Sequence, residues 1–287
     1  MTTSDRIVRP VLVAAIAVAD DVLVLREAWQ RAVELGHTLV VCTVVNEDHA
    51  RPAAEAWLRE MVASLGESAV QVAIDVRVGD RTDALLACAS DHHAALLVLG
   101  ATSQREGLLA RLFDPALPTT LVRAAEIPLL VVRPPHGVGP VLGATDLGDP
   151  TWPVLRAAVA EGNRASAPVM VVNCVTTPPM TVTDGIAAPI VSVDELTRSA
   201  GGVLAEAAIA VGLPPTETRV EFGAPAETVV RMVTELDARL VVIGSHGGSG
   251  AARFLLGSVA ETILRQVPCT VMVVPLNRGG DAANAAA

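Results

Sequence analysis

Leu240-Val241-Val242-Ile243-Gly244-Ser245-His246-Gly247 opens a stretch that continues through Gly248-Ser249-Gly250-Ala251-Ala252-Arg253-Phe254-Leu255-Leu256 to Gly257-Ser258. Its first part is a short, unbroken apolar run that stops at a glycine. Such a run predicts a strand buried on both faces, because a half-exposed strand would alternate. Its last part, Ser258 before the apolar run 259–267, predicts a helix opened by a hydroxyl cap. Strand, glycine loop and helix in that order are the building unit of a parallel α/β sheet.

The same pattern stands earlier in the chain. Residues 79–100 align without a gap with 223–244, from Gly79 against Gly223 to Gly100 against Gly244, and the apolar pattern is largely kept. Pro10-Val11-Leu12 returns as Pro140-Val141-Leu142, and Ile127-Pro128 returns as Val267-Pro268. The chain therefore reads as one fold written twice. Expected strands are 10–16, 37–44, 71–77, 95–99 and 129–132, then 140–145, 168–174, 217–221, 239–243 and 270–274. Amphipathic helices are expected at 22–34, 53–65 and 82–90, then 151–163, 193–211 and 226–236, with Thr82 taken as a start signal. The cluster Arg133-Pro134-Pro135-His136-Gly137 reads as the linker. The expected architecture is α/β, with domains at 1–134 and 139–277 and a disordered tail at 278–287. Each domain is expected to be a five-stranded parallel sheet with helices on both faces, and ligands bind beyond the carboxyl ends of its strands.

Composition narrows the function. The chain has 287 residues, a formal net charge of −10, no Tyr, and three Trp with three Phe; all 21 basic residues are Arg. An acidic chain without basic blocks is a poor general nucleic-acid binder. So few aromatics leave little to stack single strands on. The lack of Lys excludes a Walker lysine and Schiff-base chemistry. The longest apolar run, 11–19, is about half the roughly 20 residues a membrane span needs. No signal peptide is expected, because Asp20 and Asp21 stand where a cleavage site would follow. Cys42, Cys88, Cys174 and Cys269 show no paired spacing, so zinc is not expected from the sequence and reduced buried thiols in a cytoplasmic protein are. The adjacent His92-His93 would diverge on a helix, and helix-end or surface positions are expected for them.

The glycine loop carries the chemistry. Glycines let the backbone approach a ligand closely, and successive N–H groups form a concavity for anions. The helix beginning near Ser258 adds unpaired N–H groups and the positive end of its dipole. The Ser258 hydroxyl can donate to a phosphate oxygen, and Gly244 can let a ribose rest on the main chain. None of this needs Lys. A plain glycine-rich connection is the alternative.

In that context the spacing Gly244-x-x-Gly247, nine residues, then Gly257-Ser258 resembles the nucleotide-binding signature of the universal stress protein family. The run 241–274 is also similar to that family, including Leu255-Leu256-Gly257-Ser258-Val259 and the final strand after Pro268. The resemblance implies a tandem universal stress protein of Rossmann-like, adenine-nucleotide alpha-hydrolase-like fold, with ATP, alone or with Mg²⁺, in the second domain. It implies contacts from Ala144, Thr145 and Asp146 after the first strand to the ribose or adenine. It places Cys174 near the adenine edge. Ile243, Gly244, His246, Gly247, Arg253, Gly257, Ser258 and Val259 would line the ribose and phosphates. For Asp146 a surface turn is the alternative, and for His246 and Arg253 a solvated position. The resemblance also implies pairing through the last strand, here 270–274, with strand 129–132 filling that role within a tandem chain as the alternative to a homodimer; a regulatory protein partner is expected, and no catalytic residue is assigned.

The first half departs from this pattern. Pro10 set against Pro140 places Ile16 opposite Asp146. Gly247 becomes Ser103. Gly257-Ser258 falls on Phe113-Asp114, or on Leu117-Pro118 once a short insertion is allowed. A proline lacks the N–H, and an aspartate repels phosphate. The expected function is an ATP-binding stress-response protein with one site. A slow ATPase using Asp146, His246 or Arg253 and a nucleotide-independent interaction module are the alternatives. A dehydrogenase is the weaker reading, because neither first strand is followed by Gly-x-Gly-x-x-Gly.

Overall fold

The structure is a computed structural model that describes residues 11–16, 21–66, 70–101, 117–148, 152–176, 192–214, 217–245 and 256–276. The chain divides into two compact units, Met1–Pro134 and Pro135–Ala287. The tail 278–287 lies outside the described residues.

The first unit alternates β1 (Val11–Ala15), α1 (Val22–Leu35), β2 (Thr38–Val45), α2 (Arg51–Ala63), β3 (Val72–Val78), α3 (Arg81–Asp91), β4 (Ala94–Gly100), α4 (Leu117–Ala124) and β5 (Leu129–Val132). Its strands lie in the order β3-β2-β1-β4-β5, and every pairing is parallel. The second unit runs β6 (Val141–Ala144), α5 (Pro153–Ala165), β7 (Val169–Val175), α6 (Val193–Ala210), β8 (Thr218–Phe222), α7 (Pro225–Glu235), β9 (Leu240–Gly244), α8 (Ser258–Gln266) and β10 (Thr270–Val274). Its order is β8-β7-β6-β9-β10, again parallel. In both, the first strand lies inside the sheet and the chain winds outward on either side of it. Helices on both faces bury the central strands: Val13, Val41, Leu97 and Leu130 in one unit, and Leu142, Val171 and Val241 in the other, are fully shielded.

The helix starts differ from the sequence expectation in chemistry. Asp80, not Thr82, caps α3, its Oδ1 accepting from the N–H of Thr82 at 2.9 Å and of Asp83 at 3.1 Å. Ser258 is the first residue inside α8, and Gly257 holds the cap position. Helix α5 starts at Pro153 rather than at 151, because a proline fits the first turn, where its missing N–H is not needed.

The expected pairing of Ile16 with Asp146 is off by one. Ala15 lies beside Cys42 and Leu99, while Ala144 lies beside Val172 and Ile243. Ala15 is thus the counterpart of Ala144, Ile16 of Thr145, and Ala17 of Asp146. A strand apolar on both faces keeps its pattern under a one-residue slip, so Pro-Val-Leu matched in the wrong register.

The expected linker is partly built into the second unit. The Gly139 N–H donates to Asp237 O at 2.8 Å, and the Val138 N–H donates to Asp237 Oδ2 at 3.2 Å. Arg239 returns two bonds, from Nε to Gly139 O at 2.8 Å and from Nη2 to Val138 O. A Cβ on Gly139 would lie 2.2 Å from Leu236 O, and one on Gly137 2.0 Å from Asp237 O. Only glycine fits so close to that backbone.

Glycine has no such reason at 202, inside α6, where a Cβ would meet nothing within 4 Å. Gly202→Ala is expected to stabilise the protein by about 0.8 kcal/mol through helix propensity, read as a raised urea midpoint. An unchanged or lowered midpoint contradicts the placement.

Charged residues mark the outer strand of each unit. Arg77 on β3 pairs with Asp75 and, at 2.7 Å, with Asp91 at the end of α3. Arg231 on α7 reaches Glu221 on β8 at 3.0 Å. Among the described residues no helix is long and apolar enough to cross a membrane. All four cysteines are free; Cys42, Cys88 and Cys269 are buried and Cys174 is half-buried.

Candidate functional site

In the second unit β6 stands between β7 and β9, and the chain leaves these neighbours on opposite sides. The carboxyl ends of β6 and β9 are thus the topological switch point, where ligands bind in open α/β sheets. Ala144, Thr145 and Asp146 leave β6 at this point. Ile243 and Gly244 end β9 beside them, and Cys174 lies next to last on β7. These expected site residues are therefore brought to one end of one sheet.

Side chains fix the exit from β6. The Thr145 N–H donates to Val172 O at 3.0 Å, and Asn173 Nδ2 donates to Thr145 O at 2.9 Å. Thr145 Oγ1 accepts the Leu147 N–H at 3.1 Å, and Asp146 Oδ1 accepts the Gly148 N–H at 3.0 Å. Two side-chain turns thus follow one another. Asp146 is exposed and shapes its own turn, so the surface-turn role is part of its geometry. The Cys174 thiol is pushed up to about 11, mainly by burial and then by the nearby Glu221 carboxylate. It stays protonated at neutral pH and offers no nucleophile.

Ser245 was missed in the sequence reading. It is buried, its N–H donates to Val274 O at 2.9 Å, and its O accepts the Gly257 N–H at 2.9 Å. Its Oγ accepts the Leu276 N–H at 3.3 Å. One residue thus joins the end of β9, the start of α8 and the chain leaving β10. A polar residue directly after a buried strand was the available signal, as it was for Asn173 near the end of β7.

At α8 the first intrahelical bond runs from Glu261 N–H to Gly257 O at 2.9 Å. Helix geometry leaves the N–H groups of Ser258 and Val259 outside that ladder, and both residues are exposed. The Glu261 carboxylate in the first turn would oppose an anion there, but it is drawn toward Arg265 at 2.9 Å. His246, Gly247 and Arg253 lie outside the described residues.

The corresponding end of the first unit is different. A Cβ on Gly100, the counterpart of Gly244, would lie 3.2 Å from Asp21 Oδ1 and 3.1 Å from Val24 Cγ2. A carboxylate and an apolar side chain from α1 thus stand over the strand end. Leu117, Pro118 and Thr119, which open α4, are buried, whereas Ser258 and Val259 are exposed. Ala17, which follows Ile16 in the sequence as Asp146 follows Thr145, has no carboxylate; it lies outside the described residues, as do Ser103, Phe113 and Asp114.

Comparison with known proteins places this architecture. A Pseudomonas aeruginosa UCBPP-PA14 chain that bears a universal stress protein name superposes over 94% of both chains, with a TM-score of 0.69 and 17% identity. A universal stress protein from Archaeoglobus fulgidus DSM 4304 covers 93% of this chain and 97% of its own, with a TM-score of 0.67 and 14% identity. At such identities the likeness is one of fold: α/β, Rossmann-like, with parallel strands. In sequence, residues 138–275 are similar to the Universal stress protein family. A Staphylococcus saprophyticus protein bearing a universal stress protein name is 41% identical over 70 residues, which are 24% of this chain and 42% of that protein. The match thus spans less than half the length of that curated relative.

Proposed function

We propose that the second unit binds one molecule of ATP, alone or with Mg²⁺, and that the protein is a tandem universal stress protein with a regulatory role. The supporting observation is the start of α8. Ser258 and Val259 there are exposed, their N–H groups stand outside the helix's own ladder, and Gly257 is tied to Ser245 at the end of β9. A helix start in that position is an anion site built from backbone dipoles, which accounts for phosphate binding by an acidic chain without Lys. Ala144, Thr145, Asp146, Cys174, Ile243 and Gly244 line the ribose and adenine side. His246, Gly247, Arg253, Gly257, Ser258 and Val259 belong to the phosphate side. The first unit is read as a copy without a nucleotide site, since Asp21 stands over Gly100 and α4 opens on buried residues with Pro118.

The test is calorimetric titration of ATP into the full chain, followed by thermal melting. One equivalent is expected to bind. At 100-fold excess over Kd the stability gain is about 2.7 kcal/mol. Asp146→Ala should weaken binding about tenfold, on the order of one lost hydrogen bond to a charged group. No heat and no melting shift in the parent protein would overturn the proposal; binding unaffected by Asp146→Ala would remove that residue from the site.

A further inference from the structure

The fold brings together three side chains that lie far apart in the reading of cysteine spacing. Asp75 projects from β3, and Cys88 on α3 and His92 at its C-terminal cap lie one helical turn apart. Their ligand atoms, a carboxylate oxygen, Sγ and a ring nitrogen, all lie within 4.8 Å of one another. Cys88 Sγ is 3.5 Å from Asp75 Oδ2, and His92 Nε2 is 3.0 Å from the same oxygen. His92 is the residue that ends α3, as a helix-end position was expected, while His93 is exposed.

We propose that Asp75, Cys88 and His92 form a site for one divalent transition-metal ion of the zinc class, held between β3 and α3 of the first unit. The distances fit. Bonds of about 2.3 Å to sulfur and about 2.0 Å to oxygen or nitrogen, at a tetrahedral angle, put S and O about 3.5 Å apart and N and O about 3.3 Å apart. The chain stands at the first value and within a few tenths of an ångström of the second.

The hydrogen bonding points the same way. Asp75 Oδ2 faces Arg77 Nε and Nη2, Cys88 Sγ and His92 Nε2, all within 3.5 Å. A carboxylate oxygen has about two lone-pair directions. Arg77, which also reaches Oδ1 at 2.9 Å, uses the syn edge of the carboxylate. The thiol and imidazole then crowd one remaining direction, and a single cation satisfies all three atoms at once. Binding releases the thiol proton to solvent, and the imidazole keeps its proton on Nδ1. The carboxylates of Asp75 and Asp91 with the Cys88 thiolate then balance Arg77 and a divalent ion.

The set is not a requirement of the fold. The second unit has Arg219, Met232 and Leu236 at the three corresponding positions. Cys88 is fully buried, whereas the His92 side chain is 34% exposed, so an ion enters from the His92 side and solvent supplies its fourth ligand. Cys42 is buried opposite Asp75 in the register of β2 and β3 and lies outside the set.

The test uses Co²⁺ as an optical probe on the chelator-treated full chain. One equivalent is expected to produce a thiolate-to-cobalt charge-transfer band that Zn²⁺ then bleaches. Cys88→Ser should remove the band, and His92→Gln should weaken Co²⁺ binding on the order of 100-fold, with Cys42→Ala retaining it. His92 sits at the partly exposed helix end, so its variant keeps the test open if Cys88→Ser does not fold. A titration without a thiolate band, or a band that survives in His92→Gln at unchanged affinity, overturns the proposal.

Discussion

Gly257→Asp is expected to abolish ATP binding while leaving the fold intact. Gly257 has φ −62° and ψ 142°, extended backbone that any residue adopts. Aspartate is among the best residues at a helix cap, where its carboxylate accepts N–H groups of the first turn. The substitution should therefore stabilise α8 by a few tenths of a kcal/mol. The Val259 N–H is one of those groups and is also offered to phosphate, and the new negative charge stands where the anion would bind. Loss of that donor and charge repulsion together should weaken ATP by at least about 100-fold, or some 2.7 kcal/mol. Calorimetry of the variant should show no heat at concentrations that saturate the parent, and ATP should no longer raise its melting temperature. A variant that melts at or above the parent temperature and still binds ATP would place the phosphates elsewhere.

Gly139→Ala is expected to be among the most damaging single methyl additions in the second unit. The added Cβ would lie 2.2 Å from Leu236 O and 2.7 Å from Asp237 O, both main-chain atoms that cannot swing aside. Moving residue 139 away breaks its N–H bond to Asp237 O and the Arg239 Nε bond to its carbonyl. Two hydrogen bonds and the displaced packing together cost about 3 kcal/mol. Asp237 already holds φ 51°, a left-handed conformation that favours glycine, so its turn has little room to yield. Hydrogen exchange should show the amides of β6 and β9 losing protection by about two orders of magnitude, while β1 and β4 keep theirs. Equal protection in parent and variant would refute this account of the linker glycines.

The sequence was legible wherever burial alone decides structure. Apolar runs such as 239–243 and 270–274 became β9 and β10 within a residue, because a strand covered on both faces must be apolar throughout. The same property hid the register. Ile16 could be set against Asp146 because nothing in a uniformly apolar strand resists a slip of one. The outline of the site was legible through its glycines and through Ser258. What locks it was not, since Ser245 and Asn173 act through bonds to residues brought near only by the sheet. Cys88 and His92 have the helical spacing of a ligand pair, but Asp75 joins them only when α3 is laid across β3. Capping misled for a local reason. Thr82 and Ser258 are good cap residues that stand inside their helices, because Asp80 and Gly257 precede them in the extended conformation a cap requires.

The charged residues on β3 and β8 bear on how this molecule behaves when crowded. Each is the outer strand of its unit, the kind of edge on which strands of other molecules can add and build fibres. A newcomer on β3 would meet the Asp75–Arg77–Asp91 group, and one on β8 would meet Glu221 held by Arg231. Covering either edge with an apolar strand would mean drying ion pairs that already tie the strand to its own helix. Charge thus guards β3 in one unit and β8 in the other, where a barrel would remove such edges by closing.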